Sequence, residues 1–483
     1  MYNLNRIKNY KKRNEKFINF NFSKELFLKK EKFSKSELNK SIKTIPFTSI
    51  LSLGTVRDLA FRNQEIKEIL TLRLKGLLSW KFTSIPKWTN LSFALPWSED
   101  IYFSNYSIDV KKNYKLIGNF FNDLGLKSHE YPIDAVYNSN SMYVSDEIYI
   151  RKVGILFTSI SQAISLYPNL IKEYFGSVVP MNDNNSAALN FSIFSDGSFI
   201  YAPINIKCDV ELTTYFRLDN EHLSQFERTL IIGEKNSFLE YFEGCSSKND
   251  APIKNHAAVV ELKALENTEL IYTTIQDWST GNKDEIGGIN NLVTKRAICQ
   301  EKNSKVRWTQ VELGSTITCK YPSCILIGEN SYGDFYSITL TDNEQQADTG
   351  TKIIHKGKGT KSRIISKGIT RHFSETCFRS LVNHLNIDSY TYSQCDSLML
   401  TQDGLTLTLP SFKSVNGNFI EHEATICRLS DERLFYFYQR NIPYKKAITL
   451  ITNGFCSSVA NRLPKQLGED VYVYLEKKFK SIE

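Results

Sequence analysis

One turn recurs through the middle of this chain. Glu234-Lys235-Asn236-Ser237 precedes Phe238-Leu239-Glu240-Tyr241, and Glu266-Asn267-Thr268 precedes Glu269-Leu270-Ile271-Tyr272. Glu301-Lys302-Asn303-Ser304 precedes Lys305-Val306-Arg307-Trp308, Glu329-Asn330-Ser331 precedes 332–336, and Lys358-Gly359-Thr360 precedes 361–365. The interval is 27 to 36 residues, inside the window that marks solenoid arrays. Asn and Gly tolerate a left-handed backbone, and Ser or Thr bonds the local chain. Each following run has alternating faces, one of them available to a stacked interior. Over residues 190–415 this predicts a β-helix or β-solenoid. An antiparallel sandwich with similar hairpin turns is the alternative that periodicity leaves open.

Helical patterns flank the β-rich stretch. Apolar residues recur at three and four between Ile66 and Trp80, within a predicted helical region at 56–80. Residues 157–175 read as two short helices broken at Pro168. Near the end, Asp431 to Arg440 reads as a helix with Arg433 and Arg440 toward solvent. Pro443 starts a second helix, Gly454 caps it, and a last helix spans about 464–480. The expected organisation is a basic lead-in at 1–44, an N-terminal helical and mixed domain at 45–189, the β-helix core at 190–415 and a C-terminal helical domain at 416–483.

Composition narrows the function. At 41% hydrophobic residues over 483 positions, the chain can bury a large core. Its net charge of +8 is concentrated in the first 45 residues. No basic stretch is interleaved with stacking aromatics and no nucleic-acid module is visible, so nucleic acid is not an expected partner. No apolar run reaches eighteen residues, so no membrane helix is expected. The N-terminus has no apolar core of a secretory signal, and Glu15, Glu25, Glu31 and Glu37 make it too acidic for a transit peptide. The abundance of Lys, Asn, Ile, Phe and Tyr points to an AT-rich, organellar genome.

The nine cysteines all follow residue 200, and none forms C-x-x-C. An odd count in a long chain argues against a disulfide framework. There is no P-loop, G-x-S-x-G or H-E-x-x-H, so ATP hydrolysis is not expected of this chain. Two clusters carry chemistry. Ser393-Gln394-Cys395-Asp396-Ser397 and Glu421-His422-Glu423-Ala424-Thr425 lie about one repeat apart, which makes them stacked neighbours in a solenoid. Thiolate, imidazole and carboxylate together suit iron or zinc. A buried core cysteine and a polar edge account for the same residues. The second cluster is Glu243-Gly244-Cys245, where the glycine permits a tight turn and an accessible thiol. Arg217, Gln276, Trp278 and Lys295 fall in nearby repeats, and a cation beside a thiol favours the thiolate. An inert buried cysteine is the plainer alternative.

Longer strings carry a resemblance. Phe175-Gly176-Ser177-Val178-Val179-Pro180, 194–199, 225–232, Tyr321-Pro322-Ser323-Cys324-Ile325-Leu326, Gln345-Gln346-Ala347-Asp348-Thr349-Gly350-Thr351-Lys352 and 365–369 all match in order. Gln394-Cys395-Asp396-Ser397, Glu421-His422-Glu423-Ala424-Thr425 and Asn453-Gly454-Phe455-Cys456 complete the series. From about residue 55 to 470 the chain resembles the SufB family of iron–sulfur cluster assembly scaffolds. The paralogous SufD typically carries Cys-x-His-Gly-Ala-Thr where this chain has Glu421 to Thr425.

The resemblance implies a mainly β fold, a right-handed parallel β-helix core flanked by helical segments. It implies a scaffold, not an enzyme, in a complex with SufD (or a second SufB) and the SufC ATPase, which would dock around 431–454. The sulfur donors would be the cysteine desulfurase pair SufS and SufE. Cys245 would accept sulfur, and Arg217, Gln276, Trp278 and Lys295 would line its passage through the β-helix. Cys395 and Glu423, with His422 beside them, would bind a transient iron–sulfur cluster of the [4Fe–4S] kind at the SufD interface. Reduced flavin accompanies some bacterial complexes, though no residue pattern here marks a flavin site. A plastid, including a reduced one such as an apicoplast, is the expected location, with the bacterial cytoplasm as alternative. Asp219 stands where bacterial members carry Asn, residues 403–410 lack a Cys and a His often found there, and 202–208 lack a family glycine. A SufD-like structural partner and a polysaccharide-active β-helix enzyme, the latter using Glu421 and Glu423, are the competing readings.

Overall fold

The computed structural model describes residues 51–84 and 154–463 with breaks at 64, 85–153 apart from short strands, 219–223, 248–252, 283–286 and 416. Those strands are Pro46–Phe47, Phe103–Ser104, Ala135–Asn138 and Ser141–Val144, and scattered positions are described at 89, 91 and within 468–476. The lead-in at 1–44, Trp88, Trp97, Asp219 and most of the expected helix at 464–480 lie outside the described residues.

Through the core the chain alternates between two sheets. Arg228–Gly233, Val259–Ala264 and Gly288–Cys299 pair side by side in one of them. Phe238–Ser247, Glu269–Asp277, Lys305–Glu312, Tyr332–Thr341, Lys361–Thr370, Tyr390–Met399 and Phe419–Arg428 pair in order in the other. All these pairings are parallel. The sandwich alternative is therefore excluded, and the core is a parallel β-helix.

The corners explain the sequence repeat. Asn205, Asn236, Asn267, Asn303 and Asn330 all have φ between 54° and 62°. At this conformation Asn and Gly carry the smallest steric penalty. The Asn side chains also form a ladder. Asn236 Nδ2 donates to Asn205 Oδ1 at 2.9 Å, Asn267 to Asn236 at 3.0 Å and Asn303 to Asn267 at 2.9 Å. Gly359, Asp388 and Gly417 continue the left-handed position in later coils.

Stacking puts like residues in rows. Tyr241, Tyr272, Trp308, Phe335 and Ile364 occupy one register position on successive strands and form a buried spine. Tyr272 and Trp308 have ring centroids 4.8 Å apart. Burying each such side chain contributes roughly 1.5–3 kcal/mol, so the rows hold the coils in register.

The N-terminal helical segment is latched to the first coils by a buried ion pair. Arg228 Nη2 lies 2.5 Å from Glu261 Oε1. Glu261 also accepts from the backbone N–H groups of Gly176, Val178 and Val179 at 3.0–3.1 Å. The guanidinium stacks 3.9 Å from the Phe191 ring and donates to Asn190 Oδ1. Phe191 and Asn190 lie on the buried helix Asn185–Ile193, which the helix Lys67–Phe82 approaches closely at Gly76. The expected helical region at 56–80 is two helices, Leu53–Arg62 and Lys67–Phe82, since the side chain of Ser52 caps the first and the backbone turns extended at Ile66.

Two differences concern the C-terminal side. The coil continues past 415 through Phe419–Arg428, whose polar sequence reflects its exposure at the end of the stack. Gly454 does not cap a helix. It sits inside Tyr444–Ala460, where the absent side chain leaves open space over the outer face of the second sheet. Ser430 caps Asp431–Tyr438, and Arg433 and Arg440 are exposed as expected.

Candidate functional site

Strand alternation sorts the side chains of Phe238–Ser247 into lumen and exterior. Glu243 and Cys245 point inward and are buried. Gly244 points outward and lies mid-strand, so it makes no tight turn there. A Cβ on it would meet the Tyr215 ring at 2.5 Å. The glycine makes room for that aromatic, and the thiol is 3% exposed rather than accessible.

Around Cys245 the lumen is polar. Gln276, its register partner, donates Nε2 to Sγ at 3.5 Å. Lys295 Nζ reaches Glu243 Oε1 at 3.2 Å and the Tyr272 hydroxyl at 2.6 Å. Trp278 packs with Cys245 in one buried cluster, and its ring lies 4.4 Å from that of His256. Arg217 is half-buried and in register with Ser246 instead of Cys245. The lysine does not produce a thiolate. Burial, and then the carboxylates of Glu243 and Glu227, push the Cys245 thiol well above its ordinary value despite Lys295 and Lys320. The physical reason is that burial penalises the anion, and the charges of Glu243 and Glu227 outweigh those of Lys295 and Lys320.

Four further buried ionisable residues belong to this wall. Glu227 meets His256 Nε2 at 3.2 Å, and burial raises its pKa. Lys320 pairs with Glu312, the register partner of Gln276 on the next strand, and burial lowers it to about 8. No motif marks Glu227, His256, Glu312 or Lys320 in the sequence. Their period-two placement on inward faces was the available signal.

From Glu243 a row of hydrophilic side chains runs down the lumen. Thr274, Gln310, Ser337 and Ser366 occupy the same register position on successive strands, and Cys395 follows. All are buried. Ser337 donates to Ser366 at 2.8 Å.

At the far end, Ser393 pairs with His422, Gln394 with Glu423 and Cys395 with Ala424, so the two sequence segments are adjacent strands. Cys395 is buried inward, and burial raises its pKa to about 12. His422 shares the inward face and lies 4.8 Å from the Phe412 ring. Glu423 alternates to the outer face. There it lines a cavity of about 410 Å³ with Lys367, Gln394, Asp396 and the helix residues Gly454 and Phe455. Within the single chain Cys395 and Glu423 are thus on opposite sides of one sheet.

The comparisons agree with this architecture. The profile described as "SUF system FeS cluster assembly, SufBD core domain" matches residues 216–455, and "SufBD protein N-terminal region" matches 129–213. An iron–sulfur cluster assembly SufBD family protein of Pyropia yezoensis is 44% identical over 447 residues, covering 89% of this chain and 91% of the relative. The chain belongs to the SufBD family.

SufBD relatives of similar identity include chloroplastic and bacterial proteins, the latter from Synechocystis at 41% over 436 residues, covering 87% of this chain and 91% of the relative. The chloroplastic member of Arabidopsis thaliana is 42% identical over 439 residues, covering 87% of this chain and 78% of the relative. The SufB of Plasmodium falciparum is 37% identical over 418 residues, covering 85% and 87%. The SufBD relatives are named as assembly proteins for iron–sulfur clusters. Among the described residues no helix is long and apolar enough to cross a membrane.

Proposed function

We propose that this chain is a SufB-type scaffold, which receives sulfane sulfur at Cys245 and builds a nascent cluster around Cys395. The observation that carries the reading is the polar row joining the surroundings of the two thiols inside the β-helix. Serine, threonine and glutamine side chains solvate a polar sulfur species in a lumen otherwise filled by apolar rows. Enclosure also protects a persulfide from oxidation.

The chemistry follows from the thiol. A donor persulfide of the SufS/SufE kind passes its terminal sulfur to Cys245, forming a new S–S bond and leaving the donor as a thiol. Cys245 is protonated at rest, so transfer requires loss of that proton, and Lys295 and Gln276 stabilise the resulting anion. Reduction of the sulfane sulfur to sulfide takes two electrons from an external reductant of the reduced-flavin class. Cys395 and His422 would offer a thiolate and an imidazole from the inner face, and Glu423, on the outer face of the last strand, would offer a carboxylate to a cluster reaching round the exposed sheet edge. An incomplete set of this kind holds a [4Fe–4S] precursor loosely enough to release it.

The terminal coil supports a paralogue partner. Leu405, Phe419 and Ile426 are 43%, 71% and 49% exposed on the last strands of the two sheets. An uncovered parallel edge is completed by another coil, which fits SufD or a second SufB. Exposed Phe435, Tyr436 and Leu450 on the C-terminal helices fit docking of the SufC ATPase, whose hydrolysis would shift this end. Location in a plastid is the accompanying proposal.

The test is anaerobic reconstitution with SufC and SufD, comparing the natural chain with Cys245→Ala and Cys395→Ala and reading cluster absorbance with bound iron and sulfide. Loss of cluster in both variants is expected. Equal yields in all three would overturn the reading in favour of a SufD-like structural role.

A further inference from the structure

The polar wall of the first coils gathers carboxylates around the Cys245 thiol that sulfur transfer does not use. One carboxylate oxygen each from Glu227 and Glu243 and the Sγ of Cys245 lie within 4.8 Å of one another. Among the described residues this is the one group of three such donors so arranged. Glu227 and Glu243 have no solvent exposure, and Cys245 has 3%.

Their hydrogen bonding is unfinished. Oε2 of Glu227 and Oε2 of Glu243 have no hydrogen-bond partner, and Glu227 Oε1 and His256 Nε2 have only each other, 3.2 Å apart. Buried polar atoms are ordinarily paired, and a buried carboxylate without partners is costly. The arrangement of His256 is specific. Asn291 Nδ2 donates to Gln276 Oε1 at 2.8 Å, so its Oδ1 is left to accept, and it lies 2.8 Å from His256 Nδ1. The proton of a neutral imidazole is thereby held on Nδ1, and the Nε2 lone pair faces Glu227 Oε1 at 3.2 Å. A lone pair facing a carboxylate oxygen calls for a cation between or beside them. This is the orienting contact that metal-bound imidazoles carry on their second nitrogen.

Charge points the same way. Once a metal displaces the Cys245 proton, two carboxylates and a thiolate are opposed locally by Lys295, which pairs with Glu243. Two negative charges remain, and a divalent cation cancels them. Lys320 is already matched to Glu312. Donor atoms on one tetrahedral ion, each about 2.0–2.3 Å from it, stand roughly 3.5 Å apart. The three donors within 4.8 Å of one another would close on an ion by side-chain shifts of about 1 Å, and His256 would join through its 3.2 Å contact with Glu227.

We propose that Glu227, Glu243, Cys245 and His256 form a divalent transition-metal site inside the first coils of the β-helix. Carboxylate, imidazole and thiolate donors together select ions of the ferrous, cobaltous and zinc class over magnesium or calcium. That the occupant in the cell is ferrous iron rests on the scaffold reading above. Iron would then meet sulfur at the acceptor thiol, upstream of Cys395. The site itself rests only on the geometry.

The experiment is anaerobic titration of the metal-free full chain with Co²⁺, followed by absorption. A thiolate-to-cobalt charge-transfer band saturating at one equivalent is expected. Cys245→Ser should abolish that band, and Cys395→Ser should leave it in place. Glu227→Gln should weaken cobalt binding at least about tenfold, and thermal melting without metal checks that this variant folds. A band that is absent from the natural chain, survives Cys245→Ser or vanishes in Cys395→Ser overturns the site. The alternative is that His256 is protonated and pairs with Glu227, in which case cobalt does not bind. The titration contains no sulfur donor or partner chain. Its failure leaves the scaffold reading standing, and failed cluster assembly leaves the titration untouched.

Discussion

Glu243 and Cys395 stand in one row of the β-helix lumen, at the same register position on strands five steps apart. At about 4.8 Å per parallel strand the two are roughly 24 Å apart along the coil axis. The residues between them are hydroxyl or amide side chains throughout.

If the row carries sulfur, apolar bulk in its middle should interrupt delivery and not capture. Ser337→Leu removes the hydroxyl that donates to Ser366 and fills the row. The expected outcome is that Cys245 still gains one sulfur by mass spectrometry while cluster yield falls at least tenfold. Unchanged yield would show that sulfur travels by another route.

Gly244 is required by its neighbour. In Gly244→Ala the new methyl meets the Tyr215 ring, which is buried against Phe242. Overpacking of this kind costs about 1–3 kcal/mol, readable as a lowered denaturation midpoint. In Gly244→Ala with Tyr215→Ala the methyl enters vacated space, so the two effects should fall short of additivity.

The Asn ladder makes a graded prediction. Asn267 has φ 54° and takes part in two side-chain bonds of the ladder. Asn267→Ala loses both bonds and keeps the left-handed strain, which should cost roughly 1–3 kcal/mol. Asn267→Gly loses the bonds but relieves the backbone, so chemical denaturation should place it between the two.

Acid should unfold the later coils through a buried histidine. His355 lies between Thr360 and Ser362 with His384 4.3 Å away, and burial followed by the His384 charge lowers its pKa from 6.5 to about 3. The folded chain refuses a proton that the unfolded chain accepts below about pH 6.5. The neutral imidazole's contribution is therefore complete above that pH. It declines toward pH 3 by up to about 1.4 kcal/mol per unit. Stability measured from pH 7 to 4 should fall more steeply in the natural chain than in His355→Gln.

Much of the fold was legible as local chemistry. Asn and Gly at the corners declare a left-handed backbone whatever surrounds them, and their spacing points to a coil, with only the parallel pairing excluding a sandwich. Pro168 at the first turn of Pro168–Tyr174 was likewise a local signal. The end of the coil was not legible, because Phe419–Arg428 is exposed and lacks the apolar alternation of inner strands. Gly454 misled for a similar reason. A glycine that leaves room over a sheet looks the same in sequence as one that ends a helix.

The site divides along the same line. By itself the sequence determined the repeat with its left-handed corners, the one-repeat spacing of Cys395 from His422, and the membership of Cys245 and Gln276 in neighbouring repeats. Only the tertiary structure decided that Glu423 turns away from Cys395, that the Cys245 thiol is held protonated, and that Glu227 and His256 join it. Those outcomes depend on which side of each strand faces the lumen and on the summed field of charges from several coils. Both are properties of the stack, since separate turns supply each charge and burial sets how strongly each is felt.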